Sequence, residues 1–136
     1  MITAVDTCVL LDVFTADPTF GPASRERLGA CLASGPVLVS PVVWAETGAF
    51  FPESDSAEAA ITTLGAEFCP LDRRSADLAG HAWRSYRQRG GSRQRVVADF
   101  LIGAHASLQA ERLFTRDRGF YRRYFPDLTV VDPTAT

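Results

Sequence analysis

The chain has 136 residues, with 14 basic and 16 acidic side chains and a formal charge of −2. Every basic residue is an arginine, and the missing lysine excludes Walker-type phosphate binding, Schiff-base chemistry and a serine–lysine dyad. A 46% hydrophobic content at this length fits one domain over 1–136, and no apolar run approaches the ~20 residues that span a bilayer. The N-terminal stretch carries Asp6 and Asp12 and no basic region, so it does not read as a signal peptide and a cytoplasmic protein is expected.

In chain order, Ile2–Val5 reads as a short strand ending at Asp6, followed by a helical stretch to about Ala16. Asp17-Pro18 and Gly21-Pro22 mark turns, and Ala23–Leu32 has helical periodicity. Val37–Ser40 is a short run of consecutive apolar residues ending at Ser40, as in a strand covered on both faces. Ser40-Pro41 then forms an N-cap with proline in the first turn of a helix through Glu46. The stretch 52–55 breaks the chain before a helix at about Ala57–Leu64. Glu67–Leu71 is a weak strand, and Ser75–Arg89 is an amphipathic helix ended by Gly90-Gly91. Ser92 is expected to cap a helix to about Ala110 with an apolar stripe of Val96, Val97, Phe100, Leu101, Ala104 and Leu108. A strand Arg112–Thr115, a helix Arg118–Tyr124 and a strand Leu128–Val131 follow. Strands alternating with helices predict an α/β fold with a mostly parallel sheet of about five short strands.

Charge is unevenly spread. Residues 1–83 hold four arginines against eleven acids, a net of −7, whereas 84–123 hold ten arginines against three acids, a net of +7. Such a segment points to a polyanionic partner, since phosphate affinity follows local charge, or else to solvated helix faces. Cys8, Cys31 and Cys69 form no C-x-x-C pair and read as buried thiols; His81 and His105 read as structural, so a zinc site is not expected.

In a parallel sheet, ligands bind beyond the carboxyl ends of the strands. Asp6 follows the first strand, Glu46 lies in the helix after the second, and Asp117 comes two residues after Arg112–Thr115. Asp99 sits on the rim of its helix's apolar stripe. Singly, Asp6 and Asp117 can be helix N-caps, Glu46 a surface residue and Asp99 a partner of Arg95. Together, converging carboxylates need a cation, and a hard ion such as Mg2+ or Mn2+ prefers oxygen ligands. That set suits metal-assisted phosphodiester hydrolysis by one or two ions. Asp12 reads as a solvated helix residue, and Phe120, Tyr121, Tyr124 and Phe125 as mostly core, with base stacking as the alternative.

The segments VDTCVLLDVF (5–14), WAE within 40–47, ADFLIGAHA (98–106) and TRDRGFYRRYFPDLTVVDP (115–133) resemble the four blocks of PIN-domain proteins, most nearly the VapC-type toxins of toxin–antitoxin pairs. The resemblance implies acidic metal ligands at Asp6, Glu46, Asp99 and Asp117 and assisting hydroxyls at Thr7 and Thr115. It also implies a Mg2+- or Mn2+-dependent ribonuclease with a Rossmann-like sheet, a homodimer and a cognate antitoxin. Cys8 departs from the asparagine or serine frequent at its position. RNA-backbone contacts are expected from Arg84, Arg87, Arg89, Arg93, Arg95, Arg116 and Arg118. A haloacid-dehalogenase-like phosphatase would need a second aspartate at position 8 and a lysine, and a receiver-like domain an acidic pair and a lysine. The remaining alternative is a catalytically silent PIN-like module that binds RNA or protein.

Overall fold

The triplets Thr-Ala-Val at 3–5, Val-Leu-Val at 37–39 and Arg-Leu-Phe at 112–114 are short and, Arg112 apart, buried, as inner strands are. In the computed structural model, which describes residues 1–53 and 55–134, they pair in parallel at the centre of a five-stranded sheet. Its strands are β1 (Thr3–Val5), β2 (Val37–Val39), β3 (Glu67–Phe68), β4 (Arg112–Phe114) and β5 (Thr129–Val131), ordered β3-β2-β1-β4-β5. The helices are α1 (Thr7–Phe14), α2 (Gly21–Ser34), α3 (Pro41–Gly48), α4 (Ser56–Leu64), α5 (Arg73–Gln88), α6 (Val97–Gln109) and α7 (Arg118–Tyr124). Ser54, inside the predicted break at 52–55, lies outside the described residues.

Connections leave β1 toward β2 on one side, and the chain returns to place β4 on the other. The order therefore reverses beside β1, and a crevice opens between the carboxyl ends of β1 and β4. The register pairs Val5 with Phe114, so residues 6 and 115 leave the sheet side by side. The Asp6 amide continues the ladder by donating to the Phe114 carbonyl at 2.9 Å.

Local chemistry sets the helix starts. Asp6 caps α1, Ser40 caps α3 through the Val43 amide at 3.4 Å, and Asp72 caps α5 through the Ser75 amide at 2.8 Å. The Asp72 cap starts α5 two residues before the expected Ser75. One expectation fails more widely. Ser92 does not cap α6: its hydroxyl accepts from the Gln94 amide, its carbonyl accepts from the Tyr86 hydroxyl at 2.7 Å, and the helix begins at Val97. The predicted stripe fails with it. Val96, Val97 and Leu108 are exposed, while Ile102, Gly103, His105 and Ala106 are buried beside Phe100 and Ala104. This helix is covered on more than one side, so its burial does not follow a single stripe.

The aromatic residues of α7 and its C-cap join the core as expected: Phe120, Tyr121 and Phe125 are buried, and Phe120 and Tyr124 meet Phe100 edge to face, with Tyr124 edge-on to Tyr86 as well. His105 is buried, and burial holds its imidazole below its ordinary pKa. Of the three free cysteines only Cys31 is fully buried; Cys8 and Cys69 are partly exposed, contrary to the expectation for all three. Among the described residues no helix is long and apolar enough to cross a membrane.

Candidate active site

Asp6 sits where β1 ends, 7% exposed, with both carboxylate oxygens held. One accepts from the Thr7 amide at 2.8 Å, as an N-cap should, and the other from the Thr115 hydroxyl at 2.7 Å. The sequence offered N-cap and site residue as alternatives; this carboxylate is the cap and also faces the crevice. Burial raises its pKa, and the like charge of Glu46 raises it further, against hydrogen bonds from Thr115, Thr7 and Tyr121. Glu46, exposed on α3, accepts the Thr7 hydroxyl at 2.8 Å. Thr115 is fully buried and works in both directions, its hydroxyl also accepting the Asp117 amide at 3.0 Å. Two threonines thus tie Asp6 to Glu46 on one side and to the Asp117 backbone on the other.

The remaining carboxylates are held differently. Asp99, in the first turn of α6, accepts the Val96 amide at 3.0 Å and lies 3.9 Å from Arg95 Nη1. The same Nη1 donates a short bond to Asp117, so one guanidinium bridges two of the four acids. Asp117 in turn raises the Arg95 pKa. The guanidinium carbon rests 4.2 Å above the Phe120 ring centroid. The Tyr121 phenol, pushed well above its usual pKa by burial, also feels the charges of Asp6 and Asp99. Those two acids therefore share one electrostatic field around a residue that sequence reasoning placed mostly in the core. Its four-residue spacing from Asp117, one helical turn, is the signal that could have found it.

Three of the expected phosphate-binding arginines are engaged with acids. Arg116 is not turned to the crevice acids but forks onto Asp12, Nε to Oδ2 at 2.8 Å and Nη2 to Oδ1 at 3.0 Å, with its face 4.0 Å over Phe20. Asp12 is accordingly no solvated helix residue: it is 4% exposed and also accepts the Ser24 hydroxyl at 2.9 Å. Arg118 lies 3.5 Å from the buried Asp132, and Arg95 is the bridge just described. Arg84, Arg87, Arg89 and Arg93 are exposed and, among the described residues, have no acidic partner. Cys8, Arg116 and Asp117 line a cavity of about 330 Å³ beside the acids. Burial and the Asp6 charge push the Cys8 thiol up to about 11, so it stays neutral, 3.8 Å from Thr115 Oγ1.

The family model of the PIN domain matches residues 3–126. The chain belongs to the PIN-domain family. Among solved structures, this PIN domain is similar to VapBC-1 from nontypeable Haemophilus influenzae, at 22% identity and a TM-score of 0.75 over 99% of this chain and 100% of that one. A FitAB structure bound to an IR36 DNA fragment is 26% identical, with a TM-score of 0.69 over 100% and 97% of the two chains. A toxin–antitoxin complex from Klebsiella pneumoniae is 20% identical, with a TM-score of 0.70 over 98% and 99%. No curated protein matches the chain in a search by sequence.

Among the described residues, no group of three or more His, Cys, Asp or Glu side chains stands close enough to hold a metal ion as placed. The donor set nevertheless suits a hard divalent cation. Asp6, Glu46 and Asp99 offer only oxygen, and the like charge of Glu46 bears on Asp6. The cation now present, Arg95, sits on Asp99 and Asp117 and leaves Asp6 and Glu46 to each other.

Proposed function

We propose that this PIN domain, as one unit over 1–136, is a VapC-type toxin. On this reading it is a cytoplasmic, homodimeric endoribonuclease that hydrolyses RNA phosphodiester bonds and is neutralised by a cognate antitoxin. The observation that carries the reading is the buried, doubly hydrogen-bonded Asp6 at the β1/β4 crevice, linked through Thr7 to Glu46 and through Thr115 to the Asp117 backbone. The likeness to VapBC and FitAB proteins adds support for the antitoxin partner.

Asp6, Glu46, Asp99 and Asp117 are the residues that would hold one or two Mg2+ or Mn2+ ions. When bound, such an ion lowers the pKa of a water and neutralises charge on the phosphoryl oxygens. The protein's own part is positional. Thr115 and the Thr7 amide fix both Asp6 oxygens, which keeps that carboxylate from swinging as charge develops. The Thr7 hydroxyl does the same for Glu46. Arg95 exchanges its carboxylate partners for a substrate phosphate, releasing Asp99 and Asp117 for the site. Arg84, Arg87, Arg89 and Arg93 attract the RNA backbone.

The test compares RNA cleavage by the wild type, Asp6→Asn and Asp99→Asn with Mg2+, Mn2+ and EDTA. Loss of activity in EDTA and in both variants is expected; chelator-insensitive cleavage, or full activity in either variant, overturns the mechanism. The Arg95 bridge across Asp99 and Asp117 favours one other reading, a catalytically silent module that binds RNA or protein. Tight RNA binding with no cleavage in any divalent ion decides for it.

A further inference from the structure

A second cavity lies on the α5 side of the acids. Trp83, half-buried near the end of α5, carries the Arg87 guanidinium carbon 4.7 Å over its ring. The loop after α5 closes over this pair. The Gly91 amide donates to the Tyr86 carbonyl at 2.9 Å, and the Tyr86 hydroxyl holds the Ser92 carbonyl. A Cβ at position 91 would stand 2.4 Å from the Tyr86 ring, so only glycine lets the loop come this close. The result is a cavity of about 320 Å³ whose lining includes Trp83, Arg87, Arg93, Arg95 and Val96.

Two features identify what fits there. The planar Trp83–Arg87 stack beside the Arg93 and Arg95 guanidinium groups is the chemistry of an unstacked base with its flanking phosphates. An acidic peptide would use the cations but not the planar Trp83–Arg87 stack. The cavity is also continuous with the site, because Arg95 lines it and simultaneously bridges Asp99 and Asp117. Among the described residues neither Arg87 nor Arg93 has an acidic partner of its own.

We propose that this cavity is a nucleotide subsite: single-stranded RNA places one unstacked base against Trp83 and Arg87, with adjoining phosphates on Arg93 and Arg95. The subsite rests on the RNA reading above and gives it a direction, since the strand then runs from the acids toward the end of α5.

The chain has two tryptophans, so Trp44→Phe leaves Trp83 as the only indole reporter. The full-length Trp44→Phe protein is titrated in EDTA with a short single-stranded RNA, with an abasic oligonucleotide of the same length, and with a polyglutamate peptide. Saturable quenching by the RNA is expected, with about tenfold weaker binding and no quenching by the abasic strand. In parallel, Trp83→Leu is expected to raise KM for RNA cleavage about tenfold with kcat unchanged, and Trp83→Phe to restore most of the loss. Equal affinity for RNA and abasic strand, no quenching, or peptide binding that matches RNA overturns the subsite. Cleavage by the wild type without quenching sinks the subsite alone. Quenching by RNA with no cleavage in Mg2+ or Mn2+ upholds the subsite and sinks the nuclease.

Discussion

The two halves of the crevice are built on opposite principles. Asp6 and Thr115 leave neighbouring strands in register and are buried, with hydrogen bonds on every oxygen and no arginine among the partners of Asp6. Asp99 and Asp117 begin helices, are partly exposed, and share one counter-charge, Arg95. Sheet register sets position to a fraction of an ångström, whereas a loop-borne guanidinium can change partners. The strand half is therefore built to stay still, and the loop half to respond to what arrives.

Removing the strand half's central group should break this contrast most severely. Thr115→Val deletes at once the donor to the buried Asp6 and the acceptor for the half-buried Asp117 amide, leaving both without that partner. We expect kcat for RNA cleavage to fall about 100-fold with little change in KM, and stability to drop by about 2 kcal/mol in urea unfolding. Thr115→Ser should recover most of both.

Next in size is Asp12→Asn, which breaks the forked pair with Arg116 and leaves that half-covered cation without its counter-charge. A loss of about 2–3 kcal/mol in urea unfolding is expected, reduced in the double variant with Arg116→Met. Equal losses in the single and double variants would show that the pair contributes only packing.

Arg95→Gln sharpens the comparison because its two effects have opposite signs. Freed from the guanidinium, Asp99 and Asp117 should bind Mn2+ about fivefold more tightly by calorimetry, close to 1 kcal/mol, while KM for RNA rises. The same substitution should leave thermal stability nearly unchanged, since the pairs are partly exposed.

The smallest effect lies outside the crevice. Burial lowers the His105 pKa below its ordinary 6.5, so the unfolded chain binds more protons once the pH falls below about that value. The cost of keeping this imidazole neutral is absent above the unfolded pKa and grows as pH falls from there toward the folded one. The Tm of the wild type should therefore decline between pH 7.5 and pH 5.5 more than that of His105→Gln. Parallel pH profiles for the two proteins would exclude the effect.

The positions of Asp6, Glu46 and Asp117 were legible because each follows a short apolar run, and a parallel sheet brings such run ends together. Asp12 was not legible. Its partners, Ser24 and Arg116, come from another helix and from a loop 104 residues away, and a helical wheel drawn on α1 contains neither. The α6 start misled for a related reason: Ser92 has the chemistry of a cap, but the Tyr86 hydroxyl takes its carbonyl and fixes the loop instead. Trp83 gave no signal, because its meaning lies in the Gly91 loop that closes over it. Local periodicity reads elements; it cannot read which loops those elements will hold.

The side-by-side exit of residues 6 and 115 has a consequence for how the protein is born. Its central contact closes a loop of 109 residues, so a ribosome-bound chain that has not yet extruded β4 already carries Asp6, Glu46 and Asp99 without the threonine that orients Asp6. The acids are present early and the geometry arrives late. On the proposed function, the nascent chain cannot attack RNA at its own ribosome until β4 docks beside β1. That delay gives an inhibitor time to meet the chain before the site is complete.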